Sequence, residues 1–414
     1  PDEAVGPLAA QYFGGLADAA LGEKAARRRA DFPALPSQET CRARRGSTPR
    51  AKGKAGDRKR GTRAVRPSGL NAFPQTEGRS VVFMQDMRHG GNVWDEARPG
   101  DWLDYSANLR PEGTPEWVLE TMRRAIVDTR YYPDRQMRAA RAGLAAALGV
   151  EEARVLPTAG GAQAIDLALS LKPGRVLVQP PTFGEYAERA RARGRAVAEN
   201  GNARPGDTRV LCNPNNPTGE AVEPARVLEE FRALREQGAE LLVDEAFIDY
   251  CPSHSVRKFV QPGLTVVGSL TKILCVPGVR LGYVCAAPET IRALEERMLT
   301  WSLNSFASAI AAELPLHVRE IEKDAQATDA RRAAFARALE AMGARVMPSH
   351  APFLLADFGR DMTEVAKRLR ARRILVRTCE SFGLPPAYLR LAVKTEAENA
   401  RFLEALRECI NYGG

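Results

Sequence analysis

Five short apolar runs, each closed by polar, small or turn-forming residues, leave this chain few ways to fold. They lie at 154–156, 175–178, 208–211, 240–243 and 264–267. Each has the length of a strand, and segments of helical character separate several of them. Ile165, Leu167, Leu169 and Leu171 follow the first run, and 223–237 follow the third. Strands alternating with helices fold as an α/β unit around a mostly parallel sheet. Ligands of such sheets bind at the carboxyl ends of the strands, so the residues just past each run are where chemistry is expected.

Past the fifth run stands Lys272, in Gly268-Ser269-Leu270-Thr271-Lys272, with Arg280 eight positions later. A lysine among small hydroxyl residues, with an arginine nearby, is arranged to carry an aldehyde cofactor that bears a phosphate. Its amine forms a Schiff base to pyridoxal phosphate, while Ser269, Thr271 and Arg280 supply hydrogen bonds and positive charge to the phosphate. An ordinary solvated lysine fits the same residues taken alone. The fourth run ends in Asp244. A buried aspartate against a pyridine nitrogen keeps that nitrogen protonated and the ring able to accept electrons, although strand-terminal aspartates also serve as turn formers and helix caps. The third run leads into Asn213-Pro214-Asn215-Asn216-Pro217-Thr218-Gly219, a turn-rich loop whose Asn216 can donate to a ring oxygen. After the first run come Gly160, Gly161 and Ala162 at the start of a helix, where backbone N–H groups meet anions; glycine pairs there also serve packing. Phe183, after the second run, can stack on a planar ring or simply fill core.

In this order, and over roughly residues 86 to 412, these motifs resemble the fold-type I pyridoxal-phosphate enzymes of the class I/II aminotransferase superfamily. The resemblance implies a large, mostly parallel α/β sheet domain at 128–304 and a smaller α+β domain from 86–127 and 305–414. It implies Lys272 and Asp244 as catalytic residues. Gly161, Ala162, Ser269, Thr271 and Arg280 fall on its phosphate-binding positions, Phe183 on its ring-stacking position and Asn216 on its ring-oxygen position. Tyr132 matches a tyrosine that reaches the phosphate of the neighbouring subunit's cofactor, which implies a homodimer. Arg390, in Tyr388-Leu389-Arg390, matches the arginine that holds a substrate carboxylate.

Within the superfamily the chain is most similar to the threonine-phosphate decarboxylase family, with the histidinol-phosphate aminotransferases as the alternative. His89-Gly90-Gly91-Asn92 and Asp104-Tyr105-Ser106-Ala107-Asn108 look like amino-terminal segments of the decarboxylases, and Phe247 stands where the aminotransferases usually carry a tyrosine. Arg377, in the run 374–382, resembles an arginine that meets the substrate phosphate. Arg110 departs from the pattern, which commonly has an asparagine there. The resemblance thus implies a phosphorylated amino-acid substrate bound by His89, Asn108, Arg377 and Arg390, decarboxylation of L-threonine O-3-phosphate, and a place in cobalamin biosynthesis. Transamination with 2-oxoglutarate is the alternative.

Charge places the basicity outside this region. The formal net charge is +9, but residues 1–80 hold 16 basic and 8 acidic side chains, and the other 334 residues are close to neutral. The stretch 42–69, with few apolar residues and many basic ones, is expected to be disordered. No helix-turn-helix pattern precedes residue 80, so a nucleic-acid partner is not expected. Seven dispersed cysteines without a Cys-x-x-Cys pair, and no histidine cluster, argue against a metal and for a reducing, cytoplasmic setting. No apolar run reaches the length of a membrane span. Further helices are expected at 288–300, 325–342 and 362–371, with strands at 353–356 and 389–393; Trp301-Ser302-Leu303-Asn304 resembles a segment lining the family's active site.

Overall fold

The computed structural model describes residues 90–94 and 98–411. The basic extension and His89 lie outside the described residues. The chain enters the fold through β1 (Leu103–Asp104) and then builds a seven-stranded sheet. Its strands are β2 (Val155–Thr158), β3 (Val176–Val178), β4 (Val197–Glu199), β5 (Thr208–Cys212), β6 (Glu240–Asp244), β7 (Leu264–Ser269) and β8 (Gly282–Cys285), in spatial order β2-β8-β7-β6-β5-β3-β4. Pairing is parallel from β4 through β7, and β8 runs antiparallel to both its neighbours. The α/β fold with a mostly parallel sheet is as the sequence implies.

Helices cover both faces, and strand periodicity sends alternate side chains to two cores. On β6, Leu241 and Val243 join one core while Leu242 joins the other; on β7, Val266 and Val267 divide the same way. The helix Pro224–Glu236 shows how its sequence selects it. Proline occupies its first turn, where no N–H donor is needed, and Val227, Phe231 and Leu234 are spaced to bury one face.

Two boundaries differ from expectation. The helix at Pro288–Glu295 stops before residue 300, because the chain continues in tighter turns and Trp301 takes a positive φ of 59°. The helix expected at 325–342 begins earlier, spanning Val318–Glu340. Its first two turns carry charge on several sides, Val318 and Ile321 are only half-buried, and its fully buried positions begin at Ala325, so the apolar signal for the start is weak.

A second, antiparallel sheet joins β9 (Arg345–Val346), β10 (Phe353–Asp357), β12 (Arg377–Thr378) and β13 (Tyr388–Ala392), while β11 (Ile374–Leu375) pairs in parallel with β1. This part has its own core around Tyr105, Phe335, Leu391 and Phe402, where Tyr105 stacks on Phe402 at 4.2 Å. The helices Glu116–Ala125 and Ser305–Glu313 contribute Val118, Ala307 and Ile310 to the core of the large sheet. Among the described residues no helix is long and apolar enough to cross a membrane, and Cys212, Cys251, Cys275, Cys285, Cys379 and Cys409 are free thiols.

Candidate active site

Register brings the candidate residues to one edge. Cys212 pairs with Asp244 across β5 and β6, and Asp244 pairs with Val267 across β6 and β7. The loops leaving β3, β5, β6 and β7 therefore open at the same end of the sheet. There a cavity of about 200 Å³ is lined by Asn108, Phe183, Asn216, Asp244, Lys272 and Arg390, six of the residues singled out from sequence. The segment carrying Asn108 is tied to the site by the N–H of Arg110, which donates to the Lys272 carbonyl at 3.1 Å. Arg110 itself faces away, in a 2.7 Å ion pair with Asp324.

Lys272 is enclosed, and burial together with the cations Arg390 and Arg280 lowers its amine to about 8, against the pull of Asp244. Asp244 is 4 % exposed. Burial pushes its carboxyl up; Tyr186, which donates to Oδ2 at 2.6 Å, the N–H of Ala246, which donates to Oδ1 at 2.9 Å, and the charge of Lys272 pull it back only in part. No salt bridge reaches Asp244 among the described residues, so a cation in the cavity would complete its surroundings.

Arg390 is fully buried and has no carboxylate partner among the described residues. It donates from Nη1 to Asn216 Oδ1 at 2.7 Å and from Nη2 to the Ser106 carbonyl at 2.5 Å, and its buried Nε has no partner among the described residues. Burial and the neighbouring Arg377 lower its guanidinium to about 9. An arginine can only donate, so the contact turns the carbonyl end of Asn216 toward Arg390 and leaves its amide to donate elsewhere. Arg377 is the residue directly opposite Arg390 in the β12–β13 pair, and both guanidinium groups lie over Phe382, at 5.0 and 5.9 Å. Arg377 also donates to Ser381 Oγ at 2.5 Å.

The remaining candidates form a second cluster beside the cavity rather than in its wall. Gly161 opens the helix Gly161–Leu169, with Ala162 next in its first turn. A Cβ at Gly160 would sit 2.6 Å from an Arg280 guanidinium nitrogen, and one at Gly161 would lie 3.2 Å from Ser269 Cβ. Ser269 and Thr271 share a 2.8 Å hydroxyl contact. Backbone N–H groups, two hydroxyls and a guanidinium thus converge where only glycine lets them approach. That donor set fits a phosphate, and the adjoining cavity offers an aromatic face at Phe183, an amide, a buried carboxylate and a lysine amine for a planar pyridine ring. Pyridoxal phosphate fits these residues.

Gly90 lines the cavity, and the N–H of Gly91 donates to Ser106 Oγ at 2.8 Å, so the two amino-terminal motifs meet. Tyr132 does not join them. It is 78 % exposed and stacks on Trp301 at 4.5 Å, and the 301–304 segment stays out of the cavity wall, its Asn304 capping the helix Ser305–Glu313 instead. Sequence reasoning assigned no role to Tyr186 or Cys212, both of which line the cavity. Their only sequence signal is position just beyond or at the end of strands β3 and β5.

Comparison with known proteins identifies the family. The family described as aminotransferase class I and II matches residues 101–406. A threonine-phosphate decarboxylase from Salmonella typhimurium is 32 % identical, over 78 % of this chain and 96 % of its own length. A histidinol-phosphate aminotransferase from Symbiobacterium thermophilum is 31 % identical, over 76 % and 92 %. The solved histidinol-phosphate aminotransferase from Clostridium acetobutylicum superposes with a TM-score of 0.69 at 26 % identity, covering 75 % of this chain and 99 % of its own. This chain belongs to the class I and II aminotransferase family, and its cofactor is pyridoxal phosphate.

Proposed function

We propose that the protein decarboxylates L-threonine O-3-phosphate to (R)-1-amino-2-propanol O-2-phosphate, a step of cobalamin biosynthesis. The observation that carries this reading is the pair of buried guanidinium groups at Arg390 and Arg377, facing one another across β12–β13. Two guanidinium groups on directly opposed residues of adjacent strands present a paired cationic surface, and a substrate with two anionic groups complements it. Threonine phosphate brings a carboxylate and a phosphate in one molecule; histidinol phosphate brings only a phosphate, and in the aminotransferase reading the carboxylates come from the 2-oxoglutarate acceptor instead. The 32 % identical relative named a threonine-phosphate decarboxylase supports the same choice, as does Phe247 in the cavity wall, which offers no hydroxyl to the ring.

Pyridoxal phosphate, when bound, supplies a ring that takes up the electron pair left at the substrate's α-carbon. The chain's residues would do the rest. Gly161, Ala162, Ser269, Thr271 and Arg280 would hold the phosphate, Phe183 would back the ring, and Asn216 would donate to its oxygen. Asp244 would hold the proton on the ring nitrogen, and Lys272 would supply the amine that anchors the aldehyde. Arg390 would take the substrate carboxylate and Arg377, with Asn108 and His89, the distal phosphate. We also propose a homodimer in which Tyr132 of one chain serves the other chain's site, since within its own chain it is exposed and outside the cavity wall.

Transamination of histidinol phosphate is the second reading, supported by the 31 % identical aminotransferase. Purified protein given threonine phosphate or histidinol phosphate, with and without 2-oxoglutarate, separates the two. Carbon dioxide from threonine phosphate alone is the expected result. Glutamate formed from histidinol phosphate and 2-oxoglutarate, with no carbon dioxide from threonine phosphate, would replace this reading with the second.

A further inference from the structure

Both oxygens of the Asp244 carboxylate are already held from the protein side, one by a backbone N–H and the other by the Tyr186 hydroxyl. Tyr186 is fully buried on the helix Glu185–Ala192, and its bond to Asp244 spans 58 positions of sequence. Packing alone does not ask for a hydroxyl there. The Tyr186 ring meets Phe183 edge-on at 5.6 Å and lies in an apolar core with Val210 and Leu242, surroundings that a phenylalanine ring fills as well. Burial, Asp244 and Cys212 keep the phenol protonated, so it acts as a fixed donor. Cys212, the Asp244 neighbour on β5, is likewise held neutral by burial and adds no charge.

The consequence concerns where a proton sits. A carboxylate this buried drifts toward its neutral acid, and a neutral acid cannot balance a protonated ring nitrogen. A hydrogen bond from a neutral phenol stabilises the ionised form and fixes its direction. We infer that Tyr186 is a positioning residue: its hydroxyl holds Asp244 as an ionised, oriented partner for the ring nitrogen of bound pyridoxal phosphate. This rests on the reading above in which Asp244 meets that nitrogen.

Three full-chain variants test it: Tyr186→Phe, Asp244→Asn and, as a packing control, Tyr250→Phe, whose buried hydroxyl has no hydrogen-bond partner among the described residues. Each is first shown to be folded by circular dichroism and thermal unfolding without cofactor, then loaded with pyridoxal phosphate carrying a ¹⁵N ring label. In wild type and Tyr250→Phe the ¹⁵N shift should be that of a protonated pyridine. In Tyr186→Phe it should move toward the neutral position, and the cofactor Kd should rise about tenfold, the effect of losing one hydrogen bond to a charged group. Because the carboxyl then protonates sooner, the loss of cofactor affinity on acidification should begin at a higher pH in this variant. A Tyr186→Phe protein with the wild-type ¹⁵N shift, Kd and pH dependence would overturn the inference while leaving the role of Asp244 intact. If Asp244→Asn also keeps the wild-type shift, the underlying reading fails and takes this inference with it.

Discussion

At the residue scale the site is set by charges that burial has moved from their ordinary values. The Lys272 amine, lowered to about 8 by burial and by Arg390 and Arg280, has a sizeable neutral fraction where an exposed lysine, near 10.4, has almost none. Only the neutral amine attacks an aldehyde. Covalent capture of pyridoxal phosphate by cofactor-free protein should therefore accelerate about tenfold per unit up to pH 8 and level off above it, as followed by absorbance; a rate still climbing at pH 10 would contradict the lowered value. Linkage gives the same sign for stability. The folded-state value lies below the unfolded one, so between about 8 and about 10.4 the unfolded chain binds more protons and cofactor-free protein gains stability as pH rises, which urea titrations at the two ends of that window would show. Arg390 yields a second prediction. It is buried, its Nε has no partner among the described residues, and its planar fork can grip a carboxylate at two points. Arg390→Lys keeps the charge but loses the fork, so the affinity for carboxylate-bearing substrates and inhibitors should fall roughly tenfold to a hundredfold, with cofactor absorbance retained. An unchanged inhibitor constant would remove Arg390 from substrate binding.

At the scale of elements, the phosphate-binding cluster depends on how closely β2, β7 and β8 approach. Gly282 pairs with both Thr158 and Ser269, and a Cβ there would lie 2.6 Å from the Gly160 carbonyl carbon, 2.7 Å from the Gly268 oxygen and 2.8 Å from the Gly161 nitrogen. All three are backbone atoms that cannot swing aside. Gly282→Ala should cost on the order of 1–3 kcal/mol in urea unfolding and weaken cofactor binding as well, because the strand displaced is the one that sets Gly161 against Ser269. The sequence made the ends of these strands legible, since Asp244, Asn216 and Lys272 each follow an apolar run within a few residues, and strand order did not need to be known. It did not make Tyr186 or the Arg390–Asn216 contact legible. Those partners lie 58 and 174 positions apart and meet only through sheet order and the packing of the second sheet. The start of the helix at Val318 was hidden for a related reason: its first turns are rich in charge and only half-buried at Val318 and Ile321, and apolar spacing reports burial rather than helix.

At the scale of the molecule, the described part of the chain carries a set of exposed apolar residues close together in sequence or in contact: Ile126, Val127, Tyr131, Tyr132, Leu299 and Trp301. Tyr132 and Trp301 stack on each other while both stand open to solvent. Exposed apolar groups gathered this way are what the proposed homodimer would cover, and a two-fold dimer would let one chain's Tyr132 approach the other chain's site. Shared sites make a prediction that independent sites do not. Tyr132→Ala and Lys272→Ala proteins should each have little activity, the first having lost the contribution to its neighbour and the second its anchoring amine. After they are mixed and allowed to exchange subunits, half the dimers pair one chain of each kind, and in those one site combines an intact Lys272 with an intact Tyr132 from the other chain. Activity should then recover to about a quarter of wild type, the share of intact sites that random pairing gives in a two-fold dimer. If sedimentation shows that the chains have exchanged and activity stays at the average of the two variants, Tyr132 acts within its own chain or not at all.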